Sequence, residues 1–144
     1  MIKTAWTFWN YTPEDYPLLQ AWADAHGVAA AHAAWLPEIG FILCRPDPLI
    51  LCFLYHDPSS TAAFLDSVHT KPKTELNVLK EGLIYLMNGP LKMIAAHRGI
   101  ATILTRSPAA MARTMMHTPR WFVHNKEIMS MVYFYTEEEM DESL

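Results

Sequence analysis

Cysteine is almost missing from this chain. Cys44 and Cys52 are the only two in 144 residues, which excludes a disulfide scaffold and any four-cysteine zinc site. Nor can these two bond each other. If Arg45-Pro46-Asp47-Pro48 turns a hairpin, Cys44 faces Leu49 and Cys52 faces Phe41. That offset of three residues sets their Cα atoms about 10 Å apart, beyond disulfide reach. Both read as buried thiols. Charged residues are scarce too, at 18% against 51% apolar, a balance that excludes a disordered chain and a collagen-like repeat. Long apolar runs are absent: a stretch such as 49–55 is too short to span a bilayer, and residues 1–11 hold no continuous apolar segment of a signal peptide. The expectation is a cytoplasmic globular domain with no membrane partner.

An excess of positive charge is also missing. The net charge is −4, and five acids (Glu137, Glu138, Glu139, Asp141 and Glu142) lie in the last eight positions. Without them the body carries +1, which argues against a nucleic-acid partner held by phosphate contacts. Residues 1–136 read as a single domain and 137–144 as an acidic C-terminal tail. No two histidines stand at i, i+4, so there is no metal-site spacing, and neither a Gly-x-Ser-x-Gly elbow nor a phosphate-binding Gly-Lys-Ser/Thr occurs.

What is present alternates regularly. Residues 5–10 (Ala-Trp-Thr-Phe-Trp-Asn) read as a strand, and Asp15-Tyr16-Pro17 opens a helix that runs to about His26 and stops at Gly27. The alanine-rich segment 28–35 suggests a second short helix. Runs 39–44 and 49–55, joined by a loop with two prolines, predict an antiparallel hairpin, and 61–68 a further strand. After Lys71-Pro72-Lys73-Thr74, the apolar positions Leu76, Leu79, Leu83, Met87, Leu91 and Ile94 step by three or four. Their phase passes through Asn88-Gly89-Pro90, which predicts one kinked helix ending at Gly99. Segment 100–105 reads as a strand, Ser107-Pro108 as the cap of a short helix over 109–117, and 121–124 and 128–135 as closing strands. The order β-α-α-β-β-β-α-β-α-β-β predicts an α/β fold, a mixed, largely antiparallel sheet flanked by helices.

That order resembles the GNAT superfamily of acyl-CoA-dependent N-acetyltransferases over nearly the whole chain, and most of all small GNAT-like proteins encoded by bacteriophages. Carrying the likeness are Asp15-Tyr16-Pro17-Leu18-Leu19 with Trp22 and His26-Gly27, Leu36-Pro37-Glu38-Ile39-Gly40-Phe41-Ile42-Leu43, and Phe53-Leu54-Tyr55. The resemblance implies transfer of an acetyl group from acetyl-CoA to an amine of unknown identity. In that family a Gln/Arg-x-x-Gly-x-Gly/Ala turn before the long helix points backbone N–H groups at the CoA pyrophosphate, helped by the helix N-terminus. Here the place falls on His69-Thr70-Lys71-Pro72-Lys73-Thr74-Glu75-Leu76-Asn77, which has no glycine. Pro72 removes an N–H donor, and Glu75 would repel a phosphate, while Lys71 and Lys73 offer cations and Thr70 and Thr74 hydroxyls. The resemblance makes Val68 and Thr70 the backbone pairing sites for the pantetheine arm and sets Lys71, Lys73 and Thr74 against the phosphates. Alternatively, 70–74 is a solvated turn with Thr74 as the helix N-cap.

Attack by an amine on a thioester needs a group to take the ammonium proton and an acid for the departing thiolate. The resemblance implies a carboxylate base on the fourth strand, where Asp66 is the only candidate; the other reading is a solvent-facing residue near the strand end. His69, with an ordinary pKa near 6.5, is a substitute base. The acid in the family is often a tyrosine of the last helix, but 109–117 holds none, only Arg113, Thr114 and His117 as polar members.

Five tryptophans and nine methionines remain to be placed. Either they fill a core under a sheet covered on both faces, or they form an adaptable apolar surface for a protein partner. A homodimer through the terminal strands uses the same residues. The alternative function is therefore a catalytically inactive GNAT-fold protein that binds a host or phage protein through its Met/Trp-rich surface.

Overall fold

Residues 5–106, 121–125 and 130–135 are described by the computed structural model. They form the strands β1 (Thr7–Asn10), β2 (Gly40–Cys44), β3 (Pro48–Tyr55), β4 (Ala62–Thr70), β5 (Thr102–Arg106), β6 (Trp121–Asn125) and β7 (Ser130–Phe134), with helices α1 (Tyr16–Ala25), α2 (Leu76–Asn88) and α3 (Pro90–Arg98). The strands make one sheet in the order β1-β2-β3-β4-β5-β7-β6. Every neighbouring pair is antiparallel except β4 and β5, which run parallel across the α2–α3 crossover. The expected α/β class and mixed sheet stand. The short helix expected over 109–117 and the acidic tail lie outside the described residues.

Alternation along β2 and β3 sorts the core into two layers. Phe41, Leu43, Ile50, Cys52 and Leu54 join Leu86, Met87, Leu91 and Ala95 of α2 and α3 on one face of the sheet. Ile42, Cys44, Leu51 and Phe53 join Leu19 and Trp22 of α1 on the other. Each helix presents a stripe at i, i+3, i+4 spacing, as with Leu19, Trp22 and Ala23 in α1. Cys52 opposes Phe41, as the hairpin reading requires, and both cysteines are free and buried. Because they point to opposite faces, no disulfide can join them. At the hairpin end Cys44 opposes Pro48 rather than Leu49, because the register shifts after Leu43.

Three local expectations are corrected. Segment 28–35 forms only a single 3-10 turn, Ala33–Trp35; its alanines have too little side chain to hold a helix on the core, and Trp35 is 74% exposed. The long helix is two helices. Gly89 leaves helical geometry (φ −125°, ψ −102°), and Pro90 starts α3 with no N–H for the carbonyl of Leu86. The apolar phase survives because both helices pack on the same layer, and Tyr135 Oη donates to Met87 O (3.1 Å) beside the break. Third, Thr74 is not the N-cap of α2. Glu75 occupies that position, in extended geometry, while the Thr74 hydroxyl donates to Lys71 O (2.7 Å).

Close approach of α2 to the sheet depends on Gly82. A Cβ there would lie 2.5 Å from Ile50 Cδ1 and 3.0 Å from Trp6 Cη2. Trp6 is fixed from both sides, stacked on Tyr85 and lying under the Arg45 guanidinium, which also pairs with Glu81. Gly82→Ala is therefore expected to destabilise the fold by about 2 kcal/mol through overpacking, despite the better helix propensity of alanine; urea unfolding measures it. Burial pushes the Cys52 thiol up from 9.0 to about 12. With the folded value above the unfolded one, the neutral thiol's contribution is intact below pH 9 and lost as pH climbs toward 12. Urea titrations at rising pH should show that loss, at up to about 1.4 kcal/mol per unit, and Cys52→Val should lessen the slope.

Candidate functional site

The sheet opens where β4 and β5 part. Their pairing covers Ala62–Thr102 through Leu65–Thr105 and stops, whereas β4 continues to Thr70. Over that last half the one strand that β4 pairs with, among the described residues, is β3. A bulge coincides with the parting. Phe53 opposes Asp66 and Leu51 opposes His69, so Ser67 and Val68 together face Cys52. Ser67 takes φ +51°, a left-handed conformation rare for a residue with a side chain. Bulges bend a strand and increase its twist.

The bulged strand has a defined polarity. Lys71 N–H donates to Leu49 O (2.9 Å), on the β3 side. Alternation then turns the main-chain groups of Val68 and Thr70 toward the gap. Val68 is 47% exposed, so the lip is open. The C-terminal end of α1 is tied to the same lip, with His26 Nε2–H donating to Thr70 O (2.9 Å) and Thr70 Oγ1 3.3 Å away.

Around the bulge stand the candidate proton-handling groups. His69 Nδ1 lies 2.8 Å from Ser67 O. A carbonyl only accepts, so Nδ1 carries the hydrogen and Nε2 is the acceptor nitrogen of the neutral ring. Tyr55 Oη and Ser67 Oγ are 2.9 Å apart. Asp66 is half-buried and lies on the α1 side of the sheet, opposite Phe53. Phe64, two positions earlier on that side, is 55% exposed and does not bury it. Thus Asp66, His69, Val68 and Thr70 fall together on one lip.

Lys71, Lys73 and Thr74 form the turn that follows, before α2 begins at Leu76. Lys73 takes φ +68°, the conformation that a glycine would adopt without strain. Together with Arg45, Leu49 and Val78 these residues line a groove of about 690 Å³, and Glu75 and Glu81 add negative charge to its wall. Both lysines are exposed. Among the described residues no three His, Cys, Asp or Glu side chains could hold a metal ion, and no helix is long and apolar enough to cross a membrane.

The sequence reading gave Ser67, Tyr55 and His26 no part in the site. A bulge formed without glycine or proline leaves no mark in composition, and the His26–Thr70 contact joins residues 44 positions apart. The strain at Ser67 is measurable. Ser67→Val should cost about 2 kcal/mol, because a β-branched residue resists φ > 0, whereas Ser67→Gly should be near neutral; thermal unfolding of the two variants checks the contrast.

No protein-family model and no curated protein matches the chain by sequence. Its fold is that of GNAT acetyltransferases. It is similar to an acetyltransferase of the GNAT family from Staphylococcus aureus (TM-score 0.62, 9% identity, covering 92% of this chain and 100% of that one). Similar also is the ribosomal-protein-S18-alanine N-acetyltransferase of Escherichia coli (TM-score 0.59, 14% identity, 90% of each chain). Diaminobutyrate acetyltransferase from Paenibacillus lautus, crystallised with L-2,4-diaminobutyric acid and coenzyme A, matches at TM-score 0.55 and 15% identity over 78% of this chain and 72% of that one. At such identities the likeness is one of fold.

Proposed function

We propose that this GNAT-fold chain is an N-acyltransferase that moves an acetyl group from acetyl-CoA to an amine. The observation that carries the proposal is the end of β4 from Ser67 to Thr70, which among the described residues runs on past the last pair with β5 and stops one turn before the start of α2. A lip of free peptide groups suits an amide-bearing arm, because an extended ligand can pair with it as a further strand. Val68, and the N–H of Thr70, supply those groups, the Thr70 carbonyl being held by His26 Nε2–H. Lys71, Lys73 and Thr74 then meet the pyrophosphate, the lysines as point charges in place of the N–H nest that Pro72 interrupts. Lys73 fits this role, since its left-handed backbone reproduces the bend that glycine provides elsewhere.

Bound acyl-CoA would supply a thioester carbon for the amine to attack, the new C–N bond replacing the C–S bond and CoA leaving as a thiolate that takes up a proton. The chain supplies the base that keeps the amine neutral. His69 Nε2 is the ring's acceptor nitrogen, held by the Nδ1 contact to Ser67 O, and Asp66 offers a second acceptor on the same lip. On this reading the protein works in the cytoplasm of a bacterial host on behalf of a phage, where acyl-CoA is at hand.

Thermal or urea unfolding with acetyl-CoA tests the proposal. At a hundredfold over the dissociation constant the folded state gains about 2.7 kcal/mol, and a Lys71→Ala, Lys73→Ala double variant loses most of the gain. With an accepted amine, replacing the base (His69→Gln or Asp66→Asn) lowers turnover by roughly 10²–10⁴-fold and leaves acetyl-CoA binding intact. No stabilisation at millimolar acetyl-CoA contradicts the proposal and leaves a catalytically inactive protein that binds a partner protein.

A further inference from the structure

The reaction proposed above still needs a proton donor for the departing thiolate. A tyrosine of the last helix would serve, but 109–117 holds none. β3 carries one instead. Tyr55 is its last residue and packs on the α1 side of the sheet, with Leu51 and Phe53. In the strand pair Tyr55 faces Phe64, yet its hydroxyl reaches further along β4, where Tyr55 Oη lies 2.9 Å from Ser67 Oγ. That bond fixes the Ser67 hydroxyl on the α1 side as well. Asp66 and His69, opposite Phe53 and Leu51, share that side. Ser67 is also the first residue of the bulge, two positions past Leu65, the last to pair with β5. Bulges re-aim side chains, and the left-handed backbone here (φ +51°) brings a hydroxyl to the point where β4 runs on alone with β3 among the described residues.

We propose that Tyr55 and Ser67 form a two-hydroxyl relay that protonates the departing thiolate, an inference that rests on the acyltransferase reading. Two hydroxyls joined by one hydrogen bond use one hydrogen between them and keep the other to donate. A phenol is a stronger acid than an alcohol, so Tyr55 donates to Ser67 and the Ser67 hydrogen is the one left to give. As the thioester C–S bond breaks, its electron pair stays on sulfur, which takes the Ser67 proton. Ser67 Oγ takes the Tyr55 proton in the same movement, and water restores the phenol. Ser67 is then the residue that touches the reacting atoms, and Tyr55 is a positioning residue that acts through it. The relay stays apart from the base, because His69 Nδ1–H is bonded to the Ser67 carbonyl and not to the hydroxyl. Attack and departure are thereby served by different atoms of one bulge.

Acetyl transfer from acetyl-CoA to hydroxylamine, followed as release of the CoA thiol, tests the relay. Hydroxylamine is a weak base, unprotonated near neutrality, so it needs no base and the leaving step is isolated. Tyr55→Phe keeps the ring, and Ser67→Gly keeps the bulge, since glycine adopts φ +51° without strain. Each variant should lower kcat by roughly 10²-fold, with KM for acetyl-CoA unchanged. The double variant should be no slower than either single one, because the two hydroxyls act as a unit. Should one variant fail to fold, the kcat-against-KM split of the other decides. If the pair only holds the bulge, Tyr55→Phe raises KM and leaves kcat as it was, and the relay is overturned. Losses that multiply in the double variant overturn it too. Transfer at undiminished kcat in both variants removes the relay and leaves the acyltransferase reading standing. Stabilisation by acetyl-CoA with no transfer to hydroxylamine removes the relay and leaves the docking edge, whereas no stabilisation by acetyl-CoA removes both readings.

Discussion

One extra residue in β4 organises this end of the molecule. Two residues, Ser67 and Val68, occupy the space opposite Cys52, and among the described residues β4 stays paired with β3 beyond its last pair with β5. The strain of the bulge is held by side chains: Tyr55 on the Ser67 hydroxyl, His69 on the Ser67 carbonyl, and His26 on Thr70 two residues beyond. A residue in the left-handed conformation persists only where the surrounding structure holds it there.

The core keeps the gap rigid. The sheet is covered by α1 on one face and by α2 with α3 on the other, so β3 is buried on both sides through Leu51, Cys52, Phe53 and Leu54. This stiff strand is the template on which the bulge sits. On the α2 side, Gly82 lets the helix close on Ile50 and Trp6, and the Arg45–Glu81 pair joins the β2–β3 loop to the same helix. The start of α2 is thereby fixed against the end of β4, and the cationic turn between them is short and tied at Leu49 O.

Much of this was readable from residues. Runs of apolar residues around two prolines marked the β2–β3 hairpin, and the facing of Phe41 and Cys52 followed from loop length. Pro17 and Gly27 bounded α1 because each has one dominant conformational use, and Gly27 indeed has φ +68°. The expected strand over 61–68 held Asp66 and Val68 and left His69 and Thr70 in the turn after it; β4 runs on to Thr70 and takes in all four. Less legible were features decided by competition between neighbours. Thr74 looks like an N-cap, but its hydroxyl is taken by Lys71 O and Glu75 assumes the position. The helical phase passes Gly89 because packing, not helix continuity, imposes it. Left-handed Ser67 and Lys73 have no composition signal, since serine and lysine adopt that geometry only when tertiary contacts compel them.

Amide hydrogen exchange at the β4 lip tests the central claim most directly. If the bulge opens a docking edge for an acyl-CoA arm, the amides of Val68 and Thr70 exchange readily in the free protein and slow markedly when coenzyme A is added, while Leu65, already in the sheet, changes little. Slow exchange at Val68 and Thr70 without ligand, or exchange that saturating coenzyme A leaves untouched, would contradict the account.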